Sequence, residues 1–320
     1  MSPPLLRPPP LKKGDTIGVA ATSYSPRPGW LARGIGALER AGYGVLLDPE
    51  IHRMRRFQRD EDERRAANFT RLWTDERVTV VIAGTGGYGA VRLIPYLDPA
   101  AFREHPKSFV GYSDVTALHL WLMRTVGLRC FHGPTVDDLI PSTRDPTMAS
   151  LLATLTTPMP TTRIGRGMAR AVRPGRATGR LVGGNLALVQ QSIGTDYQVD
   201  LDGAILFLEE TRDPMSFVDE RLVHLRNAGL LRGVRGVVLG QLTLDRSEED
   251  EFEDFLVDLL ADLGVPILTD FPAGHDVPNL TLPLGTEVEL VVEESTGWLA
   301  YREGALQGVA SPPPPSPSLA

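Results

Sequence analysis

Apolar positions in the first half of the chain form two alternating kinds of run. Thr16-Ile17-Gly18-Val19-Ala20-Ala21, Val45-Leu46-Leu47, Val78 to Ala83 and Phe109-Val110 are short and continuous, as strands buried on both faces must be. Between them Trp30, Leu31, Ile35, Leu38 and Ala41 recur at helical spacing, and Gly42 stops that helix. Asp60 to Asp75 is a charged helix with Ala66, Phe69 and Trp73 on one side, and its acidic first turn suits the helix dipole. Val115 to Met123 reads as an amphipathic helix, and another is expected around Met148 to Leu155. Strands alternating with helices at this spacing predict an α/β fold, a parallel sheet with helices on both faces. Ligands in such folds sit at the carboxyl ends of the strands.

Thr156-Thr157-Pro158-Met159-Pro160-Thr161-Thr162 reads as a linker, and the pattern beyond it is less regular. Strands are expected at 179–182, 204–208, 236–239, 266–268 and 287–292, and helices at 185–192, 216–227 and 249–263. The resulting division is a flexible start (1–10), an N-terminal domain (11–157), a linker (158–165), a C-terminal domain (166–309) and a Pro/Ser-rich disordered tail (310–320).

Composition narrows the function classes. Of 320 residues, 42% are hydrophobic and 23% charged, the profile of a soluble globular protein with a core of good size. The net charge of −7 argues against nucleic acid or an acidic membrane as a partner. No run approaches the ~18 apolar residues of a membrane span, and the proline-rich start lacks a signal-peptide apolar segment, so a cytoplasmic location is expected. Cys130, the single cysteine, excludes an internal disulfide and a Cys-based metal site, and its apolar neighbours make it a core residue.

Candidate chemistry concentrates at strand ends. Ser108 to Asp114 reads as strand, sharp turn and helix start, with Ser113 at the corner. That corner suits a nucleophile beside backbone N–H groups able to stabilise an oxyanion; it equally suits a helix N-cap. Gly84-Thr85-Gly86-Gly87-Tyr88-Gly89 has the G-x-G-x-x-G spacing of a dinucleotide site, with Asp114 as the following acid. It follows the third strand rather than the first, and Pro95 interrupts the helix it should open. A backbone nest close to a reacting carbonyl, or a plain tight turn, are the other readings. A serine nucleophile needs a base and an orienting acid. Of six histidines, His119 and His224 fall in helices, His52 and His105 in polar surroundings, and His132 and His275 at strand ends, where pattern alone does not separate them. The apolar strand Ala204 to Leu208 ends in Glu209-Glu210, and a carboxylate there needs a partner, either a His N–H or an arginine such as Arg212 or Arg221.

Several stretches together resemble the LD-carboxypeptidase and microcin-immunity family of serine peptidases. They are Leu11-Lys12-Lys13-Gly14-Asp15, Gly86-Gly87-Tyr88-Gly89, Gly111-Tyr112-Ser113-Asp114, Gly183-Gly184-Asn185-Leu186, Leu208-Glu209 and Gly274-His275, and they span about Leu11 to Gly308. The resemblance implies a flavodoxin-like N-terminal domain carrying the serine and a C-terminal β/α domain of swivelling-barrel type carrying the acid and base. It implies Ser113 as nucleophile, Glu209 as orienting acid, His275 as base, and the N–H groups of Asp114 and Gly86 as oxyanion hole. Gly87, Tyr88 and Asn185 are the implied substrate contacts. It further implies no metal or cofactor, a cytoplasmic homodimer, and release of a C-terminal D-amino acid from an LD-linked murein peptide. Many murein-recycling members carry arginine where this chain has Thr85, which keeps a second substrate in view, a peptidyl-nucleotide antibiotic. An aromatic side chain stacking on the base would favour that substrate, whereas Trp30, Trp73 and Trp121 read as structural. Outside the family stand a dinucleotide-dependent oxidoreductase built on Gly84–Gly89 and a non-catalytic small-molecule binder.

Overall fold

The computed structural model describes residues 4–53, 57–140, 144–158, 163–243, 255 and 258–308. In the first half these form β1 (Thr16–Ala20), α1 (Pro28–Arg40), β2 (Gly44–Leu47), α2 (Arg59–Thr74), β3 (Val78–Ala83), α3 (Pro99–Glu104), β4 (Ser108–Gly111), α4 (Thr116–Trp121), β5 (Cys130–His132) and α5 (Thr147–Thr156). The second half contributes β6 (Ile164–Arg173), β7 (Gly175–Asn185), α6 (Leu186–Gln191), β8 (Ala204–Thr211), α7 (Met215–Asn227), β9 (Gly236–Thr243), β10 (Ile267–Thr269), β11 (Leu282–Leu284), β12 (Glu287–Val292) and β13 (Thr296–Tyr301).

The first sheet has the order β11-β5-β4-β3-β1-β2. Strands β1 to β5 are parallel and give the flavodoxin-like order, with a switch point between β1 and β3. Alternation along each strand divides the apolar residues between two faces. Ile17, Val19, Val80, Ile82 and Val110 join Leu31 and Leu38 of α1 and Leu151 and Leu155 of α5. Ala20, Val81, Ala83 and Phe109 join Phe69 and Trp73 of α2, Phe102 of α3 and Leu118 of α4. Trp73 and Trp121 lie in this second core against Phe102, at ring distances of 4.7 and 5.1 Å. Trp30 is only half-buried and lies under the guanidinium groups of Arg27 and Arg33. Cys130 is fully buried, as its neighbours predict.

The second sheet closes into a barrel, β10-β6-β13-β12-β7-β8-β9. Ile205 and Phe207 of β8 point to the interior with Leu181, Val238 and Leu290. Leu206 and Leu208 point outward against Leu186, Val189, Val218 and Leu222 of α6 and α7. The end of β7 must come close to two other elements. A Cβ on Gly183 (φ +141°) would lie 1.8 Å from the Phe207 carbonyl oxygen, and one on Gly184 (φ +139°) would lie 2.7 Å from the Thr116 side chain. Two adjacent glycines let the barrel touch the helix that follows Ser113, and the Asn185 N–H donates to Thr116 Oγ1 at 3.0 Å across that seam.

Three expectations need correction. Residues 4–10 are not free of the body: Leu6 pairs with Leu128, and the Gln307 N–H donates to the Pro8 carbonyl. The division at 158–165 is not a clean one. Strand β6 begins at Ile164, β11 crosses back to pair antiparallel with β5, and Ala305 and Leu306 pack in the core under α1. The helix expected at 115–123 is a short 3-10 turn (Ser113–Val115), then α4, then a π turn (Leu122–Val126) ending at Gly127. Of the helix expected at 249–263, residues 249–254 and 256–257 lie outside the described residues; 258–260 are helical and Ala261–Leu263 is a 3-10 turn. The Pro/Ser-rich tail at 310–320 lies wholly outside them.

Candidate active site

Three strand ends converge where the sheet meets the barrel. Ser113 follows β4 through Tyr112 and has φ +61°, a left-handed conformation that costs a non-glycine residue about 1–3 kcal/mol. Such strain at a strand-to-helix corner is the geometry of a nucleophile elbow, which lifts the hydroxyl clear of the backbone. No side-chain capping bond is made at the start of this turn or of α4, so Ser113 does not serve as a cap. Glu209 lies on β8 just where its apolar run ends, and it is fully buried. His275 sits in the loop after β10, which is stitched to β9: the Phe271 N–H donates to Leu239 O, the Gln241 N–H to Ala273 O, and the Asp276 N–H to Gln241 Oε1. Gly240 and Gly274 make room for this crossing, since a Cβ on either would lie 3.2 Å from the Glu209 Cβ.

The three side chains form one hydrogen-bonded series. His275 Nε2 is 3.1 Å from Ser113 Oγ, and His275 Nδ1 is 2.6 Å from Glu209 Oε2. A carboxylate at Nδ1 keeps the proton there and leaves Nε2 free to accept the serine proton. The Tyr112 ring stands edge-on to the imidazole at 4.8 Å and limits its rotation. Glu209 Oε1 is buried with no protein hydrogen-bond partner among the described residues, a cost that structural stability alone does not explain.

Burial of the His275 ring pulls its pKa down. The hydrogen bond and charge of Glu209, with the charges of Glu210 and Asp138, outweigh burial, and the net shift is upward from 6.5. The sign for activity follows. A protonated imidazole cannot take a proton from Ser113, so only the neutral form could serve as its base. The acid limb of kcat/KM against pH is therefore expected at a midpoint above 6.5, with activity rising as pH rises through it; an acid limb lying wholly below that value would contradict this account.

The glycine turn lies on the other side of the hydroxyl. A Cβ on Gly86 would sit 3.2 Å from Ser113 Cβ and 3.5 Å from its Oγ, so the Gly86 backbone borders that side chain directly. Gly87 and Tyr88 are exposed at the rim, and the Tyr88 ring meets the exposed Phe57 at 5.8 Å. The dinucleotide reading of Gly84–Gly89 loses its physical basis here. Two 3-10 turns follow the glycines, Ala90–Arg92 and Ile94–Tyr96, and no long helix opens there to receive a pyrophosphate. Asn185 is buried; its amide donates to Glu210 Oε1 at 2.8 Å and its Oδ1 caps α6. Glu210 also takes Arg221, the ordinary partner expected for a strand-end acid, and this leaves Glu209 to the histidine.

The other strand-end histidine is part of the core. His132 is fully buried in β5, with its ring between Tyr112 and Phe207 at 6.0 and 4.8 Å. Burial, then the charges of His119 and His275, hold it well below its usual pKa. His119 lies inside the core rather than along a helix flank, 5.5 Å from the Phe109 ring, and burial lowers its pKa to about 3. Sequence reasoning missed Tyr112 and Gln241 as supports of His275. Gln241 had a readable signal: it is the first polar residue after the apolar run of β9, as Glu209 is after that of β8.

Known proteins resemble this chain over most of its length. The family model for the LD-carboxypeptidase N-terminal domain matches residues 17–133, and that for the LD-carboxypeptidase C-terminal domain matches residues 178–290. The chain is 31% identical to a probable murein peptide carboxypeptidase of Bacillus subtilis, over 94% of this chain and 97% of the relative. It is 28% identical to the microcin C7 self-immunity protein of Escherichia coli, over 88% and 92%. The crystal structure of the muramoyltetrapeptide carboxypeptidase from Oxalobacter formigenes superposes with a TM-score of 0.78 at 28% identity, covering 89% of this chain and 98% of that one.

Proposed function

The chain belongs to the LD-carboxypeptidase family, and from that premise we propose that it is a serine carboxypeptidase releasing a C-terminal D-amino acid from LD-linked murein tetrapeptides. The observation that carries this reading is the unbroken series Ser113–His275–Glu209 at 3.1 and 2.6 Å. Ser113 Oγ attacks the amide carbonyl as His275 Nε2 takes its proton. Glu209 holds the resulting imidazolium through Nδ1. The charge on the carbonyl oxygen falls to the N–H groups of Gly86 and Asp114, each donor being worth about 2.7–4 kcal/mol in such sites. His275 then passes its proton to the leaving amine, and water, deprotonated by the same ring, hydrolyses the acyl-enzyme.

Gly87 and Tyr88 flank the substrate in this proposal, and Asn185 supports the site from behind through Glu210. The enzyme acts in the cytoplasm, as a homodimer, on a peptide ending in a D-amino acid. Mass spectrometry of a panel of LD-linked muropeptides tests it: loss of one C-terminal D-residue is expected, and an intact panel would refute it.

A second substrate has an observation in its favour. The exposed Phe57 and Tyr88 rings form an aromatic shelf two residues from Gly86, where a nucleobase can stack. Similarity to the self-immunity protein points the same way. Including a peptidyl-nucleotide in the panel distinguishes the two, since its cleavage with the muropeptides left intact would select this second reading.

A further inference from the structure

The Asp114 side chain faces away from the chemistry assigned to its backbone. It is almost fully buried, and its Oδ2 accepts from Ser23 Oγ at 2.6 Å and from the Ala90 N–H at 2.8 Å. Gly89 and Ala90 close the glycine turn that begins at Gly84, so a residue of the serine elbow grips the far end of the turn opposite it. The near end is held separately: the Gly84 N–H donates to Ala20 O, and the Tyr24 N–H to Gly86 O.

Ser23 is itself supported. Arg65, buried on α2, donates to Ser23 O at 2.8 Å and to Ala21 O at 3.2 Å. The guanidinium also lies under the turn, where a Cβ on Gly89 would come within 3.2 Å of its Nη1. An arginine, a serine and an aspartate thus form one buried polar unit spanning the loop after β1, the turn after β3 and the elbow after β4. Loops after β1 and β3 flank the switch point of the sheet, so this unit lies beneath the site rather than at a distant surface.

We propose that the Asp114 carboxylate is a positioning residue that sets the gap between the two oxyanion donors, with Ser23 and Arg65 as its supports. This rests on the hydrolase reading above. One residue supplies the first donor from its backbone and fixes the loop of the second donor with its side chain. A shift of about 1 Å in either donor weakens stabilisation that exists only in the transition state.

The test uses the full-length protein and three variants, Asp114→Ala, Asp114→Asn and Ser23→Ala. Asp114→Ala is expected to lower kcat by about 10²–10³, the cost of one misplaced donor. Asp114→Asn and Ser23→Ala are expected to lower it less, by about tenfold to a hundredfold, because each keeps part of the clamp. Ground-state affinity for the muropeptide, measured in a Ser113→Ala background, should change less than threefold on adding each substitution. Affinity for a peptidyl boronate, which mimics the tetrahedral state, should fall in parallel with kcat. If Asp114→Ala fails to fold, Asp114→Asn and Ser23→Ala carry the same test. Equal losses of ground-state and boronate affinity, or kcat within threefold of wild type in all folded variants, would overturn the proposal. Absence of any Ser113-dependent turnover in the wild type is a separate result, and it would remove the hydrolase reading and this one with it.

Discussion

Ser113→Ala is expected to lower kcat by about 10⁶, to a level set by whatever binding and oxyanion stabilisation contribute without a nucleophile. Among the described residues the hydroxyl has one side-chain hydrogen-bond partner, His275 Nε2 at 3.1 Å, and it supplies no helix cap, so its removal is expected to leave the fold intact. A thermal melt within a few degrees of wild type, beside a loss by mass spectrometry of whatever cleavage the wild type performs on the panel, is the expected pair of results. Ser113→Gly sharpens the comparison. The residue sits at φ +61°, and glycine occupies that region without the strain carried by a side chain, so this variant should be as inactive as Ser113→Ala yet more stable by about 1 kcal/mol. Residual turnover above one part in a hundred in either variant would place the nucleophile elsewhere.

Glu209→Gln is expected to lower kcat by about 10⁴ with KM changed by less than threefold. The argument is one of tautomers. The carboxylate accepts from His275 Nδ1 at 2.6 Å and so keeps Nε2 unprotonated toward Ser113. A glutamine amide presenting its NH₂ to Nδ1 would drive the proton to Nε2, where it blocks acceptance of the serine proton. The substitution is nearly isosteric at a fully buried position, so folding should survive it. Steady-state kinetics on whichever substrate of the panel the wild type cleaves check this, and a loss of less than tenfold would show that the acid is not what orients the base.

Much of the candidate site is marked in the sequence because each candidate group interrupts a strong local pattern. Glu209 ends the apolar run of β8. Ser113 follows a buried strand at a corner, and Gly86-Gly87-Tyr88-Gly89 follows another. The choice between His132 and His275 could not be read from pattern, since both follow apolar strands; burial separated them, by placing one in the core and the other at the rim of the barrel. Strands β6 and β13 went unseen for a related reason. Arg166, Arg170 and Arg173 break up the apolar signal of β6, and that strand is held by pairing on both sides in a closed barrel rather than by its own hydrophobicity. Strand β11 has three residues and gains its place from β5, a partner about 150 residues earlier in the chain. Arg65 falls within a charged helix where no local pattern sets it apart from its neighbours, and only the fold turns it inward to the carbonyls of Ala21 and Ser23.

By itself the sequence determined the alternation of buried strands with helices, the glycine turn and the elbow. These depend on neighbours a few residues apart, through side-chain periodicity and backbone sterics. Local pattern left open which histidine meets Ser113 and which of two adjacent glutamates meets that histidine; the family resemblance implied His275 and Glu209, and the tertiary structure brings them together and alone decided how the barrel is joined to the sheet. Those contacts link residues 66 and 162 positions apart, and a distance across the fold carries no local signature in the chain.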